Sequence, residues 1–305
     1  MTGHHKLIAF ILSNLVVVGA WGQGNMPFAS GHTNGKITHT EINEASGLVA
    51  SSANPGFLWT HNDSGDAARI FLIDDSAQLK ATYYLQGVDA RDWEDIGTME
   101  RFGRNYLLVG DIGDNGGRRP YVSVHMLEEP VAMGGSAYVD TIPAECITTF
   151  VLTYENGPRD AESLIFDPID NYLYLFSKRE LHAGIYRTVL PEKPADTLVL
   201  TQVGTIPYTF ITSADISPDG TEILMKNLLN VFYWQRKSGE SMPQTLSRPA
   251  IQLPYRPEPQ GEAIAFSRNG QGYYTLSEAV LGFNVNLYFY RRQGSITVNA
   301  VQRSF

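Results

Sequence analysis

The stretch "QGEAIAF" at 260–266 places a carboxylate, Glu262, directly in front of a short apolar run that is typical of a buried strand. Strands led by an acid recur at "WEDIGTM" (93–99), "DAESLIF" (160–166) and "SADISPDG" (213–220). The first copy is "EASGLV" at 44–49, in which Ser46 takes the position of the acid and Glu44 lies two residues earlier on the same strand face. Five copies of one strand pattern indicate an internal repeat.

The segments between these strands favour an all-β protein. Short β-rich runs bounded by turn residues follow one another after residue 36, without a convincing amphipathic helix. Each repeat holds an acid-led strand, a turn such as "SPDG", an aromatic-rich second strand, and then two further strands, which is the unit of a β-propeller blade. We therefore predict a β-propeller of five four-stranded blades.

The predicted blades begin near 44, 94, 162, 214 and 262. Six blades remain possible, because the interval 94–162 is longer than the others and holds either an extra strand pair or a long loop; the loop is favoured. Pairing of "KITHTEI" at 36–42 with the last blade would close the ring and leave no free edge there.

Composition excludes several classes of protein. The chain has 305 residues, of which 43% are hydrophobic and 18% charged, so it is long and apolar enough for a sizeable core. Its net charge of −9 repels nucleic acid and anionic membranes, and no basic stripe reverses that field.

The N-terminus predicts export. Residues 1–22 combine a weakly basic start, the apolar run "LIAFILSNLVVV" and the small-x-small site "AWG", which together are typical of a signal peptide. We expect a linker at 23–35, a single propeller domain at 36–305, and a monomer that is periplasmic or extracellular and not inserted in a membrane. Its one cysteine, Cys146, cannot form an internal disulfide.

Propeller geometry assigns a role to the acids. The first strand of each blade lines the central channel, so the starts of all five first strands meet at one mouth. Carboxylates that converge there raise one another's pKa unless a cation neutralises them. Ca²⁺ suits such a site because it accepts six to eight oxygen ligands, whereas the absence of a Cys/His cluster disfavours zinc. The predicted metal ligands are Ser46, Glu94, Glu162, Asp215 and Glu262.

A structural alternative stays open, in which these acids bind backbone amides and arginines and lock neighbouring blades together.

Two function classes are also open. In the first, which we rank ahead, the mouth binds a small anionic molecule, a peptide or a glycan. In the second, the protein is a metal-dependent hydrolase of phosphate esters or phosphoanhydrides, in which an acid activates water and basic side chains balance the substrate charge. The candidate catalytic residues are Asp95, Asp111, Lys178, Lys226 and Arg118.

The motifs also carry a resemblance that covers nearly all of residues 36–292. "EASGLV", "LWTHNDSGD", "DWEDIG", "GDIGDN", "RDAESL", "ADISPDG" and "QGEAIAF" together resemble a group of bacterial exported β-propeller proteins and, more distantly, the SdiA-regulated family. That family is described as a five-bladed, calcium-associated propeller, so the resemblance implies a fold and an ion rather than a reaction. The order Ser46, Glu94, Glu162, Ala214 and Glu262 is similar to the pattern of five-bladed calcium-dependent apyrases, except that Ala214 replaces a hydroxyl residue.

Overall fold

The computed structural model describes residues 26–194, 196–279 and 285–294. These residues form twenty-one strands, one five-residue α-helix and one 3-10 helix, so the all-β prediction is confirmed. None of the described helices has the length and apolar character needed to cross a lipid bilayer. The predicted signal peptide at 1–22 lies outside the described residues.

The elements follow one another along the chain with short connections. The strands are β1 (His32–Lys36), β2 (Ala45–Ala50), β3 (Phe57–Asn62), β4 (Arg69–Asp74), β5 (Leu79–Leu85), β6 (Trp93–Arg101), β7 (Arg104–Asp111), β8 (Val122–Glu128), β9 (Tyr138–Ile142), β10 (Ile147–Tyr154), β11 (Ala161–Phe166), β12 (Leu173–Ser177), β13 (Ala183–Thr188), β14 (Leu198–Ile206), β15 (Ser213–Ile216), β16 (Glu222–Lys226), β17 (Val231–Gln235), β18 (Ile251–Leu253), β19 (Ala263–Phe266), β20 (Gly272–Leu276) and β21 (Asn286–Arg291). The 3-10 helix is Ala144–Cys146, and α1 is Met242–Leu246.

Local sequence explains where the hairpins turn. The turn "SPDG" between β15 and β16 ends at Gly220 with φ of 72°, and the turn between β11 and β12 places Asn171 at φ of 60°. Glycine and asparagine adopt this left-handed region at lower cost than other residues. The first of these turns lies where the sequence predicted a reversal.

The strands pair into five units that we number in chain order. Unit 1 has the order β2-β3-β4-β5-β9, unit 4 the order β15-β16-β17-β18, and unit 5 the order β19-β20-β21-β1. Units 2 (β6-β7-β8-β10) and 3 (β11-β12-β13-β14) form one eight-stranded sheet, because their outer strands β10 and β14 pair in parallel.

The first strands of the units, which we call the ring strands, follow one another in a closed circuit. Each ring strand lies beside the ring strands of the units before and after it, and β19 of unit 5 lies beside β2 of unit 1. Successive residues of a ring strand therefore face different neighbours. In β2, Leu48 packs in the apolar cluster shared with unit 5, and Val49 packs in the cluster shared with unit 2.

Five apolar clusters form the core of the described residues, and each lies between two consecutive units. Each ring strand lies between two of these clusters, and β2, β6, β11 and β19 each place apolar side chains in both. This arrangement explains why β2 and β11 are buried along their whole length.

Two buried carboxylates tie units together at the end of the ring where the ring strands finish. Asp167 accepts two hydrogen bonds from Arg236, with Nη1 at 3.0 Å and Nη2 at 2.5 Å, and so links units 3 and 4. Glu129 accepts a hydrogen bond from Trp59 Nε1 at 2.8 Å and another from the Ser51 hydroxyl, which links units 1 and 2. Pairs of this kind are costly to break, since a lone buried charge remains.

The N-terminal strand lies earlier in the chain than predicted. β1 covers 32–36 and pairs with β21, whereas the sequence suggested pairing at 36–42 and a linker at 23–35. Phe28 is buried and forms an isolated bridge with Arg292. Residues 28–36 are therefore part of the fold, because Phe28 packs between the rings of Tyr233 and Tyr273.

The long interval 94–162 holds one extra strand. β9 pairs in parallel with β5 and so extends the outer edge of unit 1, while β10 completes unit 2. The interval is therefore neither a plain loop nor a further strand pair. Its added strand covers the edge of the preceding unit, which would otherwise expose unpaired backbone groups.

Candidate metal centre

The acids that open the ring strands collect at one end of the circuit, which we call the acidic end. Glu94 is the second residue of β6, Glu162 is the second residue of β11, and Glu262 directly precedes β19. The pairing of β6 with β7 skips Glu94, and the pairing of β11 with β12 skips Glu162. Such bulges re-aim side chains and are frequent beside functional sites.

Seven carboxylates form three overlapping groups at this end, and we call them the acidic cluster. Within each group, one oxygen of each residue lies within 4.8 Å of the others, a spacing that could hold a metal ion. Asp63 and Glu94 each belong to two groups, so the cluster is continuous. The groups are Asp63 with Asp92 and Glu94, Asp63 with Glu262 and Glu278, and Glu94 with Asp160 and Glu162.

Sequence reasoning identified three members of the cluster and missed four. Asp92 and Asp160 each stand two residues before a glutamate, a spacing that places both side chains on one strand face. Asp63 and Glu278 come just after the second strands of units 1 and 5. The repeated Asp-x-Glu spacing was therefore the available signal for half of the missed residues.

Burial and mutual repulsion raise the pKa values of these carboxyl groups. Burial, followed by the charges of Glu162 and Asp63, holds the pKa of Glu94 well above its usual range. Burial raises the pKa of Asp63 to about 6, and burial together with the nearby Glu262 raises the pKa of Glu278 to about 8. The ionised cluster is therefore unfavourable on its own and would be stabilised by a bound cation.

Protein cations neutralise only part of the cluster. Lys178 Nζ bonds to Glu162, and Arg179 Nε lies 2.5 Å from Asp160 Oδ2. Burial opposes the charge of Lys178, but the surrounding carboxylates outweigh it and its pKa is raised. Within the described chain, ion pairs reach two of the seven carboxylates, which leaves an excess of negative charge.

Two of the predicted ligands have other partners. The Ser46 hydroxyl is buried and donates to the backbone oxygen of Glu94 at 2.8 Å, so it lies beside the cluster with its proton engaged by the main chain. Asp215 lies outside the cluster and accepts a hydrogen bond from the Phe266 amide at 2.7 Å. Its position explains the difference, because Ala214 rather than Asp215 matches the repeat position of Glu94 and Glu162.

Asp95, a predicted catalytic base, is fully buried and joins four ring strands. Its Oδ1 accepts from the Ile96 amide at 3.0 Å and the Ser213 hydroxyl at 3.3 Å, and its Oδ2 accepts from the Leu164 amide at 3.0 Å. Ser213 Oγ in turn accepts from the Ile264 amide at 3.3 Å. Asp95 therefore matches the structural alternative, in which an acid locks neighbouring units together.

The other catalytic candidates are also engaged or remote from the cluster. Asp111 is buried and forms an ion pair with Arg119 at 2.7 Å. Lys226 is fully buried and donates to the Gly261 carbonyl, and burial lowers its pKa to about 8. Arg118 is exposed, whereas its neighbour Arg119 is the buried cation of this loop.

We expect Gly113→Ala to weaken metal binding about tenfold. A Cβ atom at Gly113 would lie 2.2 Å from Glu94 Oε1 and 2.6 Å from Asp92 Oδ2, so both carboxylates would have to move. A tenfold loss corresponds to about 1.4 kcal/mol, a modest cost for displaced ligands. Calorimetric titration would measure it, with Gly116→Ala as the control, because a Cβ there meets only the flexible Arg118 side chain at 3.6 Å. Equal affinities for the two variants would contradict this prediction.

Comparisons with known proteins gave no relative from which to assign the site. No protein-family model matches the chain, and no curated protein is significantly similar to it. The functional assignment therefore rests on the donor set. The acidic cluster offers carboxylate oxygens, which hard cations prefer, and its members come from several units of the fold.

Proposed function

We propose that the chain is an exported five-bladed β-propeller that binds Ca²⁺ at the acidic end and uses that end to bind a ligand. Three features support the five-bladed architecture: five strand units, ring strands that neighbour one another in a closed circuit, and one apolar cluster between each consecutive pair of units. In a propeller the ring strands line the central channel, so the acidic cluster would lie at its mouth.

The observation that carries the calcium proposal is the continuous cluster of seven carboxylates, of which two form ion pairs with protein cations. Ca²⁺ tolerates irregular geometry and accepts mono- or bidentate carboxylates, whereas Mg²⁺ requires a near-ideal octahedron. Glu94 would be the central ligand because it belongs to two of the groups, and Glu162 and Glu262 would approach from other units. Asp63 belongs to two groups as well and would complete the site.

The surroundings of the cluster support ligand binding. Asp63, Asp92, Glu262 and Glu278 are only half-buried, so the cluster has an open side. Large apolar side chains project from loops beside it: Leu181 is 86% exposed, Phe210 47% and Leu229 69%. The Phe210 amide donates to the Lys178 carbonyl at 2.9 Å, which brings this side chain close to the acidic end. Exposed apolar side chains beside a charged opening are typical of a contact surface.

The partner we propose is a small anionic molecule, a peptide or a glycan, because a bound Ca²⁺ with open coordination positions attracts oxygen ligands. The alternative, a metal-dependent hydrolase of phosphate esters or phosphoanhydrides, has less support. Asp95 accepts three hydrogen bonds that hold the ring strands, and Asp111 is paired with Arg119. Neither carboxylate is free to activate water.

Calcium titration of the wild-type protein tests the proposal. We expect saturable binding by calorimetry, and a melting temperature that falls when a chelator is added. At free calcium a hundredfold above the dissociation constant, binding should add about 2.7 kcal/mol to the free energy of unfolding. Magnesium at the same concentration serves as the control and should stabilise less. If neither binding heat nor a chelator-dependent melting temperature is found, the proposal fails.

The stability of the calcium-free protein should fall as the pH rises from about 6.5 to about 8. Below this range the buried His61 and His125 act in the opposite direction, because burial lowers the pKa of each to about 4. The raised pKa values of Asp63, Glu94 and Glu278 mean that the folded protein holds these protons more tightly than the unfolded chain, whose carboxyl pKa values are about 4. Calcium must displace the same protons, so its affinity should rise over this range.

Urea unfolding in chelator at pH 6.5 and pH 8 measures the first effect, and calorimetry in buffers of different ionisation enthalpy measures the proton release. Glu278→Gln should flatten the pH dependence, since it removes one of the groups with a raised pKa. A calcium-free protein that gains stability towards pH 8 would show that these carboxyl groups are not repelling one another.

A further inference from the structure

A second concave site lies at the far end of the ring strands, away from the acidic cluster. All five units contribute to a cavity of about 70 Å³ there, with Ser52, Thr98, Phe166, Ile216 and Arg268 among its walls. A groove of about 250 Å³ between units 1 and 5 shares Ser52 and Arg268 with it. The two spaces therefore meet at these two residues.

Arg268 is the cation of this site. Among the residues that the structure describes, Arg268 is the one lysine or arginine that lines the cavity or the groove, and it makes no hydrogen bond or ion pair with the others. Its charge acts on Asp215, which already accepts a hydrogen bond from the Phe266 amide. The guanidinium group therefore keeps its donors available to a ligand, and its planar fork matches a carboxylate.

The groove beside Arg268 is largely apolar. Its walls include Pro55, Phe57, Leu58 and Tyr274, together with Ala50, the last residue of the ring strand β2. A space of this size is smaller than the pockets of about 300–1,000 Å³ that hold drug-sized ligands, so it fits a small molecule. Apolar walls next to one cation suit a ligand with an apolar body and a single anionic group.

We infer that this far-end site binds a small monocarboxylate, whose carboxylate pairs with Arg268 and whose apolar body occupies the groove between units 1 and 5. One cation beside the acids Asp215 and Glu100 favours a monoanion over a phosphate dianion, since like charges would repel the second negative charge. This site is independent of the calcium site, because its walls contain none of the seven carboxylates of the acidic cluster.

Titration of the full chain with hexanoate, phenylacetate, acetate and inorganic phosphate, in the presence of chelator, tests the inference. We expect saturable binding of hexanoate and phenylacetate, at least tenfold tighter than that of acetate, which lacks the apolar body. Arg268→Gln should weaken their binding about tenfold or more, as expected for loss of a charge-assisted pair. Arg268 is exposed in a turn, so this variant should fold normally.

Arg118→Gln is the matched control, since Arg118 is an exposed loop arginine at the acidic end, and it should bind hexanoate as the wild type does. The inference is overturned if none of the monocarboxylates binds saturably, if Arg268→Gln binds them as well as the wild type, or if phosphate is the tighter ligand. Because the titrations contain chelator, these outcomes are separate from success or failure of the calcium proposal.

Discussion

Glu94→Gln should weaken calcium binding roughly 100-fold, about 2.7 kcal/mol, while the protein stays folded. Glu94 belongs to two of the three carboxylate groups, so its substitution removes a charged ligand from both. Glu262 belongs to one group, and Glu262→Gln should therefore have the smaller effect of the two. Calorimetric titration of both variants measures the difference.

The same substitution should raise the stability of the calcium-free protein at pH 8. Burial and the neighbouring charges of Glu162 and Asp63 disfavour the ionised Glu94, and a neutral amide removes that repulsion. Glu145→Gln is a suitable control, because Glu145 is exposed in the 3-10 helix and lies outside the cluster. If Glu94→Gln destabilises the calcium-free protein, Glu94 locks units together rather than binding an ion.

Asp95→Ala should lower the free energy of unfolding by about 3–5 kcal/mol, because it leaves two amides and one hydroxyl buried without their acceptor. The substitution should destabilise units 2 to 5 together, since Asp95 and Ser213 link β6, β11, β15 and β19. Urea unfolding with the calcium-free protein measures it.

Asp95→Asn is the informative comparison, since it keeps one carbonyl acceptor and nearly the same shape. It should cost less than the alanine variant, and its calcium affinity should stay within a few-fold of the wild type because Asp95 is not in the cluster. Two results would contradict the role assigned to Asp95. One is an Asp95→Ala protein as stable as the wild type, and the other is a large loss of calcium affinity in Asp95→Asn.

The strand pattern was the part of the fold that could be read directly from the sequence. The five acid-led stretches correspond to β2, β6, β11, β15 and β19. Their short apolar runs were a usable signal, since a strand such as β2 packs between two apolar clusters. β1 could not be placed in the same way. "HTNGK" has little apolar character, and its strand conformation depends on pairing with β21 at the other end of the chain.

The site was predictable only where the acid occupies the repeat position. Glu94 and Glu162 follow the pattern and share one group, and Glu262 joins the cluster through Asp63. Asp215 is one residue out of phase and lies elsewhere. The roles of Asp95 and Glu94 could not be separated from the sequence, since they are adjacent acids in one strand. In the structure the Glu94 carboxylate belongs to the cluster, whereas the Asp95 carboxylate accepts the Leu164 amide of the neighbouring ring strand.

The pairing of β1 with β21 has a consequence for the order in which the units form during synthesis. Unit 5 takes its outer strand, β1, from before unit 1 and its other strands from after unit 4, so it cannot be completed until β21 has been made. Units 1 to 4 can form earlier, since their strands are closer in sequence. Until β19 and β20 have been made, the apolar clusters that unit 5 shares with units 1 and 4 therefore lack the side chains that these two strands supply, and those faces of the two units stay open to solvent.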